Sequence, residues 1–208
     1  MKAHLSDLGP YRGTQSHSSE LLILTESFYI EGRSGEANAE EWYLKGISLL
    51  NDVERTYVNY KEIFRINKLP DGRWKNRGCA IYRNLESALQ DAGFPPIHNM
   101  LDHCTLANCF LRPALNGDSL QIQAIDCEFA KEYLIELAGQ LKPKTIICAS
   151  SKAYNRVARH IQFDCEVINT AHPASIWWNR DGGVHGRKKF TEAVKKHLDG
   201  QIFVAPRN

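Results

Sequence analysis

The sequence predicts an α/β fold of three layers, with helices covering both faces of a central four-stranded, mainly parallel sheet. Three observations carry this expectation. Short, continuous apolar runs alternate with longer segments of helical periodicity, the runs are rich in Ile and Leu, and each ends on a small or polar residue that opens a loop. With 208 residues and 43% hydrophobic content, the chain can bury one full core. One domain over 1–208 is expected, its core spanning about 20–200.

"LLILT" at 21–25 reads as the first strand, short and buried, and "NAEEWYLKGISLL" at 38–50 as a helix with Trp42, Tyr43, Ile47 and Leu50 apolar. The Gly/Pro-punctuated "LPDGRWKNRG" precedes "AIYRNLESALQDAGF", a helix with Ile81, Leu85 and Leu89 on one face and Gly93 as its stop. "CTLANCFL" at 104–111 is the second strand, closed by Arg112-Pro113. The strongest helix is 125–141, where Ile125, Phe129, Tyr133, Leu137 and Leu141 recur every four residues. "KTIICAS" at 144–150 is the third strand, a helix follows at about 151–161, "CEVINTA" at 165–171 is the fourth strand, and a last helix covers about 187–199.

Composition narrows the function classes. The N-terminus lacks the apolar stretch of a signal peptide, and no segment reaches the roughly 18 to 20 apolar residues of a membrane span, so a soluble, cytoplasmic protein is expected. The six cysteines are dispersed, as reduced core cysteines are. The patch of His98, His103, Cys104 and Cys109 has no usual zinc spacing, and neither metal nor cofactor is expected. A net charge of +2 says little, but its distribution is uneven. Arg65 to Arg83 holds six Lys/Arg against Asp71, Lys142 to Arg159 five against none, and Arg180 to Lys196 six against Asp181 and Glu192. These segments either converge on one face that follows a phosphate backbone or are solvated helix faces.

In a parallel sheet the ligand site lies beyond the carboxyl ends of the strands. That rule singles out "TESFY" after the first strand, "ANCFLRP" at the second, "ASSKAY" after the third and "AHPAS" after the fourth. In this order the four places resemble the uracil-DNA glycosylase superfamily. Thr25-Glu26-Ser27-Phe28-Tyr29-Ile30 matches its first motif in position, and "NCFLRP" (Asn108 to Pro113) is similar to the Asn-x-x-x-x-Arg-Pro of its thermostable branch. "HPASIWWNRDGGVHGRKKF" (172–190) looks like its His-Pro-Ser motif, the loop after it and the Phe-bearing helix behind. Departures exist: Thr25 stands in place of a glycine, Phe28 in place of a proline, and Ser27 where several branches carry an Asp or Asn. The N-terminus lacks the paired cysteines of the iron-sulfur branches.

The resemblance implies a three-layer glycosylase fold, a monomer, DNA as partner and excision of a flipped base, either a deaminated repair lesion or a bulky modified base of phage DNA. Breaking the N-glycosidic bond builds positive charge on the sugar and negative charge on the base. Glu26 would activate water or offset the sugar charge, with Ser27 beside it, and His172 would hydrogen-bond the departing base. Asn108 would read the base edge, with Phe28 or Tyr29 stacked on it. Ser175 would hold a phosphate, Trp177 and Trp178 would fill the gap in the duplex, and Arg180, Arg187, Lys188 and Lys189 would meet the backbone. Plainer readings stand beside these: Glu26 as a solvated strand end, Asn108 as a turn cap, His172 as a buried histidine, the tryptophans as packing. A catalytically silent DNA-binding relative and a small-molecule enzyme of doubly wound fold are the alternatives. Against the latter, no Gly-rich phosphate loop follows any strand.

Overall fold

In a computed structural model, residues 5, 8–30, 38–75, 79–115, 119–180 and 186–202 are described, the last two without their side chains. The apolar runs form a mostly parallel sheet at the positions the sequence predicts; the first strand matches its run and the other three are shorter than theirs. They are β2 (Leu21–Thr25), β4 (Thr105–Asn108), β6 (Thr145–Cys148) and β7 (Glu166–Asn169), paired side by side in the order β4-β2-β6-β7. Every residue of β2, β4 and β6 is buried, as expected of strands covered on both faces. β7, at the edge, is only half-buried.

The sheet has five strands rather than four. Tyr11–Arg12 forms β1, which adds antiparallel to the outer edge of β4 through Tyr11 opposite Leu106 and Arg12 opposite Thr105. Leu5 and Leu8 are also buried, so the core begins well before residue 20. Beyond the main sheet, the chains leaving β2 and β4 stay together: Cys109 and Phe110 donate to the carbonyls of Thr25 and Glu26 at 2.9 Å, and Ala114 to that of Phe28 at 2.8 Å. A second, two-stranded sheet results, of β3 (Tyr29–Ile30) and β5 (Ala114–Leu115).

Helices supply the outer layers. The expected helix 38–50 is split into α1 (Ala39–Lys45) and a 3-10 turn at Gly46–Leu49, because Gly46 takes φ 58° and closes α1. Two short helices not expected from the sequence follow, α2 (Asp52–Tyr57) and α3 (Tyr60–Asn67), each started by an asparagine whose side chain accepts first-turn N–H groups; α3 buries Tyr60, Ile63 and Phe64 on one face. α4 (Ala80–Ala92) stops at Gly93 in the left-handed conformation, and α5 (Ala124–Leu141) at Lys142. The expected helix 151–161 is α6 (Ser151–Arg156) and a further 3-10 turn, and α7 (Gly186–Ile202) is last.

The connection from β2 to β4 moves one way across the sheet and that from β4 to β6 the other. Right-handed crossovers therefore place α4 and α5 on opposite faces. α7 packs beside α4, and α1 beside α5. The chain reverses direction between β2 and β6, which makes the crevice at their carboxyl ends the topological switch point. No helix among the described residues is long and apolar enough to cross a membrane.

Candidate active site

Glu26 is the first residue past β2, at that switch point, and is 4% exposed. A buried carboxylate needs donors. Ser119 Oγ donates to Oε1 at 2.6 Å, Ser150 Oγ donates to Oε2 at 3.1 Å, and Lys152 Nζ lies 3.8 Å from Oε1. Lys152 also donates to Ser119 Oγ at 2.5 Å and to the Leu120 carbonyl at 3.1 Å, which ties the segment before α5 across the carboxylate. Ser150 is at the same time the N-cap of α6, accepting from the Ala153 N–H at 3.2 Å. Helix start and site are thus built on one hydroxyl.

Asn108 ends β4 directly opposite Thr25 and is buried. Thr25 Oγ1 donates to its Oδ1 at 2.5 Å, which fixes the amide and leaves Nδ2 with no partner among the described residues. On the far side, Asn169 ends β7 with its buried Oδ1 unpaired, and the loop after it holds His172. The Ala174 N–H donates to His172 Nδ1 at 3.3 Å, so a neutral ring carries its proton on Nε2. Burial pushes the His172 imidazole below the ordinary histidine value, and the negative charge of Glu26 opposes the shift. The outcome is a neutral histidine with a buried Nε2–H donor that has no partner among the described residues.

Tyr29 stands edge-on to His172, ring centroids 6.2 Å apart. Burial first, and the charge of Glu26 second, push its phenol above the ordinary tyrosine value, so it stays a neutral O–H group. Glu26, Tyr29 and His172 therefore lie within electrostatic reach of one another, with the buried Ser27 and Ser175 hydroxyls on the flanking segments also unpaired. Five buried polar atoms that are unpaired among the described residues (Ser27 Oγ, Asn108 Nδ2, Asn169 Oδ1, His172 Nε2 and Ser175 Oγ) lie at or just past strand carboxyl ends, while others, such as Trp42 Nε1 and the Tyr133 hydroxyl, lie elsewhere. These are donors and acceptors that a polar ligand could satisfy.

Three of the expected site residues take other places. Phe28 is no base platform: it is buried against Tyr60, ring centroids 5.0 Å apart, in an aromatic cluster with Phe64 and Tyr82, because residues alternate across the short β3 extension and Tyr29 takes the other side. Trp178 is no duplex wedge. It is 1% exposed and packs on Phe190 of α7, with Gly186 so close that a Cβ there would meet its ring at 3.0 Å. Arg187 is held by Asp91 and by Ser87 Oγ at 2.7 Å, pinning α7 to α4 rather than facing solvent freely. Lys188 remains at the surface, 4.0 Å from Glu192 on its own helix.

Trp177 and Arg180 do stay outside, together: Trp177 is 49% exposed and the Arg180 guanidinium sits 4.9 Å from its ring centroid. Residues 181–185 of the same loop lie outside the described residues. The sequence reading had passed over Ser119, Ser150, Lys152, Asn169 and the 66% exposed Ile176. Ser150 and Lys152 lie in "ASSKAY", already marked by its place after a strand, and Asn169 ends a strand run; Ser119 carries no sequence signal. The residues of the metal-like patch diverge: His103 pairs with His17 and the Pro95 carbonyl, and Cys104 Sγ with the Leu101 carbonyl. No family model matches the chain, and no curated protein matches it either.

Proposed function

We propose that the protein is a DNA glycosylase of uracil-DNA glycosylase-like fold that receives a flipped base at the β2/β6 crevice and hydrolyses its N-glycosidic bond. The observation that carries this reading is the neutral His172 with an unpaired Nε2–H, placed within electrostatic reach of the buried Glu26. The reaction needs opposite charges stabilised a few ångströms apart, and this pair supplies both. Glu26 accepts a proton from the attacking water or offsets charge at C1′ through its carboxylate. The His172 Nε2–H donates to the base oxygen as it becomes anionic, and a neutral imidazole does so without competing for a proton at the start. Water oxygen bonds to C1′ as the base leaves with the bonding pair, and an abasic site remains.

Asn108 Nδ2 is the donor that reads the base edge, its orientation set by Thr25. Tyr29 is the ring available to the base, since Phe28 is packed away. Ser175 Oγ, unpaired at the start of the exposed Ile176–Trp177 loop, suits a phosphate beside the site. Base flipping asks for an apolar group to hold the gap; Ile176 and Trp177 are placed for that.

The target is either a deaminated base or a phage-modified cytosine. The test is incubation with DNA containing uracil, hypoxanthine, alkylated bases, and hydroxymethylated or glucosylated cytosine, followed by alkali and a search for strand breaks. Breaks with one class name the substrate; no breaks on any of them, authentic phage DNA included, remove the enzyme reading. Ser27, where several branches of the family the sequence resembles bear an Asp or Asn, favours a second reading in that case, a silent DNA-binding protein whose affinity falls steeply with salt.

A further inference from the structure

We infer that Lys152 is an imine-forming nucleophile, and that the protein also breaks a DNA strand at an abasic site by β-elimination. The inference rests on the reading above for the place of the sugar beside Glu26. It does not rest on base release, since a preformed abasic site serves equally as substrate.

Lys152 is the second residue of α6, in the crevice at the carboxyl ends of β2 and β6. A lysine that only neutralised Glu26 would set its ammonium on the carboxylate, at about 2.7–2.9 Å. Here Nζ stands 3.8 Å from Oε1, and its short contacts go elsewhere, to Ser119 Oγ at 2.5 Å and to the Leu120 carbonyl at 3.1 Å. The Ser119 hydroxyl in turn donates to Glu26 Oε1 at 2.6 Å. Amine, hydroxyl and carboxylate thus form an unbroken line from a half-exposed side chain to a buried acid. Along it the lysine sheds a proton without leaving its place: one Nζ proton passes to Ser119 Oγ as the Ser119 proton passes to Glu26. A neutral amine is the form that attacks a carbonyl carbon, and rotation about the Cε–Nζ bond turns its lone pair to the crevice.

The abasic sugar supplies the carbonyl. It interconverts between a closed hemiacetal and an open aldehyde at C1′, the carbon that Glu26 faces in the proposed reaction. The Nζ lone pair forms the bond to C1′ while the carbonyl π pair moves to oxygen, which takes a proton from the nitrogen. That oxygen then leaves as water with the proton held by Glu26, giving a protonated imine and restoring the carboxylate. The imine draws electrons from C2′, so Glu26 removes a C2′ proton and the C3′–O bond breaks, its pair departing with the phosphate. Water hydrolyses the remaining imine and frees Lys152. Every proton moves between groups of the relay, the sugar and water, and the step needs no oxidant or further reactant.

Incubation with a labelled oligonucleotide bearing a preformed abasic site, with and without sodium borohydride, tests this. Hydride reduces the imine to a stable amine, so a protein–DNA adduct should survive denaturing electrophoresis and map by mass to Lys152. Without hydride, strand breaks should form in the absence of alkali. Lys152→Arg, which keeps the cation, and Lys152→Met should each cut the adduct about tenfold or more. Ser119→Ala should slow trapping about tenfold at about pH 7 and recover most of the rate at about pH 9, where solvent base takes the proton instead; a merely structural serine would leave the same deficit at both. Because Lys152 is half-exposed, its variants should fold, which far-UV circular dichroism checks. No adduct with the wild-type protein, or an adduct mapped to another amine, overturns the proposal. Base release in the alkali assay without an adduct overturns this inference alone, and an adduct at Lys152 without base release from any substrate overturns only the glycosylase reading.

Discussion

Asp126 at the start of α5 and Glu26 at the end of β2 are two of the three buried carboxylates among the described residues, and their surroundings differ in kind. Asp126 accepts from Arg112 Nε at 2.9 Å and Nη2 at 2.6 Å and from the Gln123 N–H at 2.8 Å, while Arg112 reaches on to the Gln121 carbonyl at 2.8 Å. Its partners are a rigid guanidinium fork and backbone, all inside the protein. Glu26 has two rotatable hydroxyls and one ammonium at 3.8 Å whose side chain is 46% exposed. The first arrangement locks a loop onto a helix with a buried guanidinium; the second surrounds a carboxylate with hydroxyls that are themselves held by the α6 N-terminus and by Lys152. The arginine that sequence resemblance placed in a site motif is therefore a structural fastener, while Glu26 stands at the strand end where the proposed chemistry would take place.

The sharpest way to break this comparison is to truncate each acid. Asp126→Ala leaves Arg112 buried without its counter-ion and should cost about 3–5 kcal/mol in urea unfolding. Glu26→Gln should leave the unfolding midpoint far closer to that of the wild type while slowing base release about 10²-fold or more in single-turnover assays. A Glu26→Gln protein as unstable as Asp126→Ala would make both carboxylates structural. His172→Ala should slow release by a similar factor with DNA affinity nearly kept, since it removes the donor to the leaving base.

Acidification sharpens the contrast more gently. His17, His172 and His197 are all held below the ordinary histidine value, with burial the largest cause in each. For His17 the neighbouring His103, whose Nδ1 lies 3.3 Å from His17 Nε2, adds to the shift. The unfolded chain then binds more protons than the folded one as pH drops through about 6.5, and stability is lost on going from about pH 7.5 to pH 5.5. Thermal midpoints across that range should fall, and a flat profile would contradict the burial of these rings. The smallest expected effect is that of Lys152→Met, which removes a half-exposed cation worth about 1 kcal/mol or less and should slow release about threefold to fivefold.

Much of the fold was legible because buried parallel strands leave an unmistakable trace: "LLILT" and "KTIICAS" are apolar on both faces, and nothing else in the chain is so short and so uniform. β1 was not, since two residues carry no period, and α2 and α3 were hidden because their capping asparagines, Asn51 and Asn59, look like loop in a polar stretch. Within the site, Glu26, Asn108 and His172 could be found from their places after strands. Which of two neighbouring aromatics faces inward could not: Phe28 against Tyr29 and Trp178 against Trp177 depend on the turn each sits in, which sequence leaves open. Ser119 meets Glu26 from 93 residues away, and only folding reveals such a contact.

Ser150 places an unusual limit on what the chain tolerates. Its oxygen accepts from Ala153 N–H while its hydrogen is given to Glu26. Aspartate, as good a helix cap as serine, would set a second negative charge against the first, and alanine would abandon both bonds at once. Only a hydroxyl accepts and donates through a single atom, so a position that helix rules would leave open to four residue types is narrowed to serine or threonine by a carboxylate on a different strand.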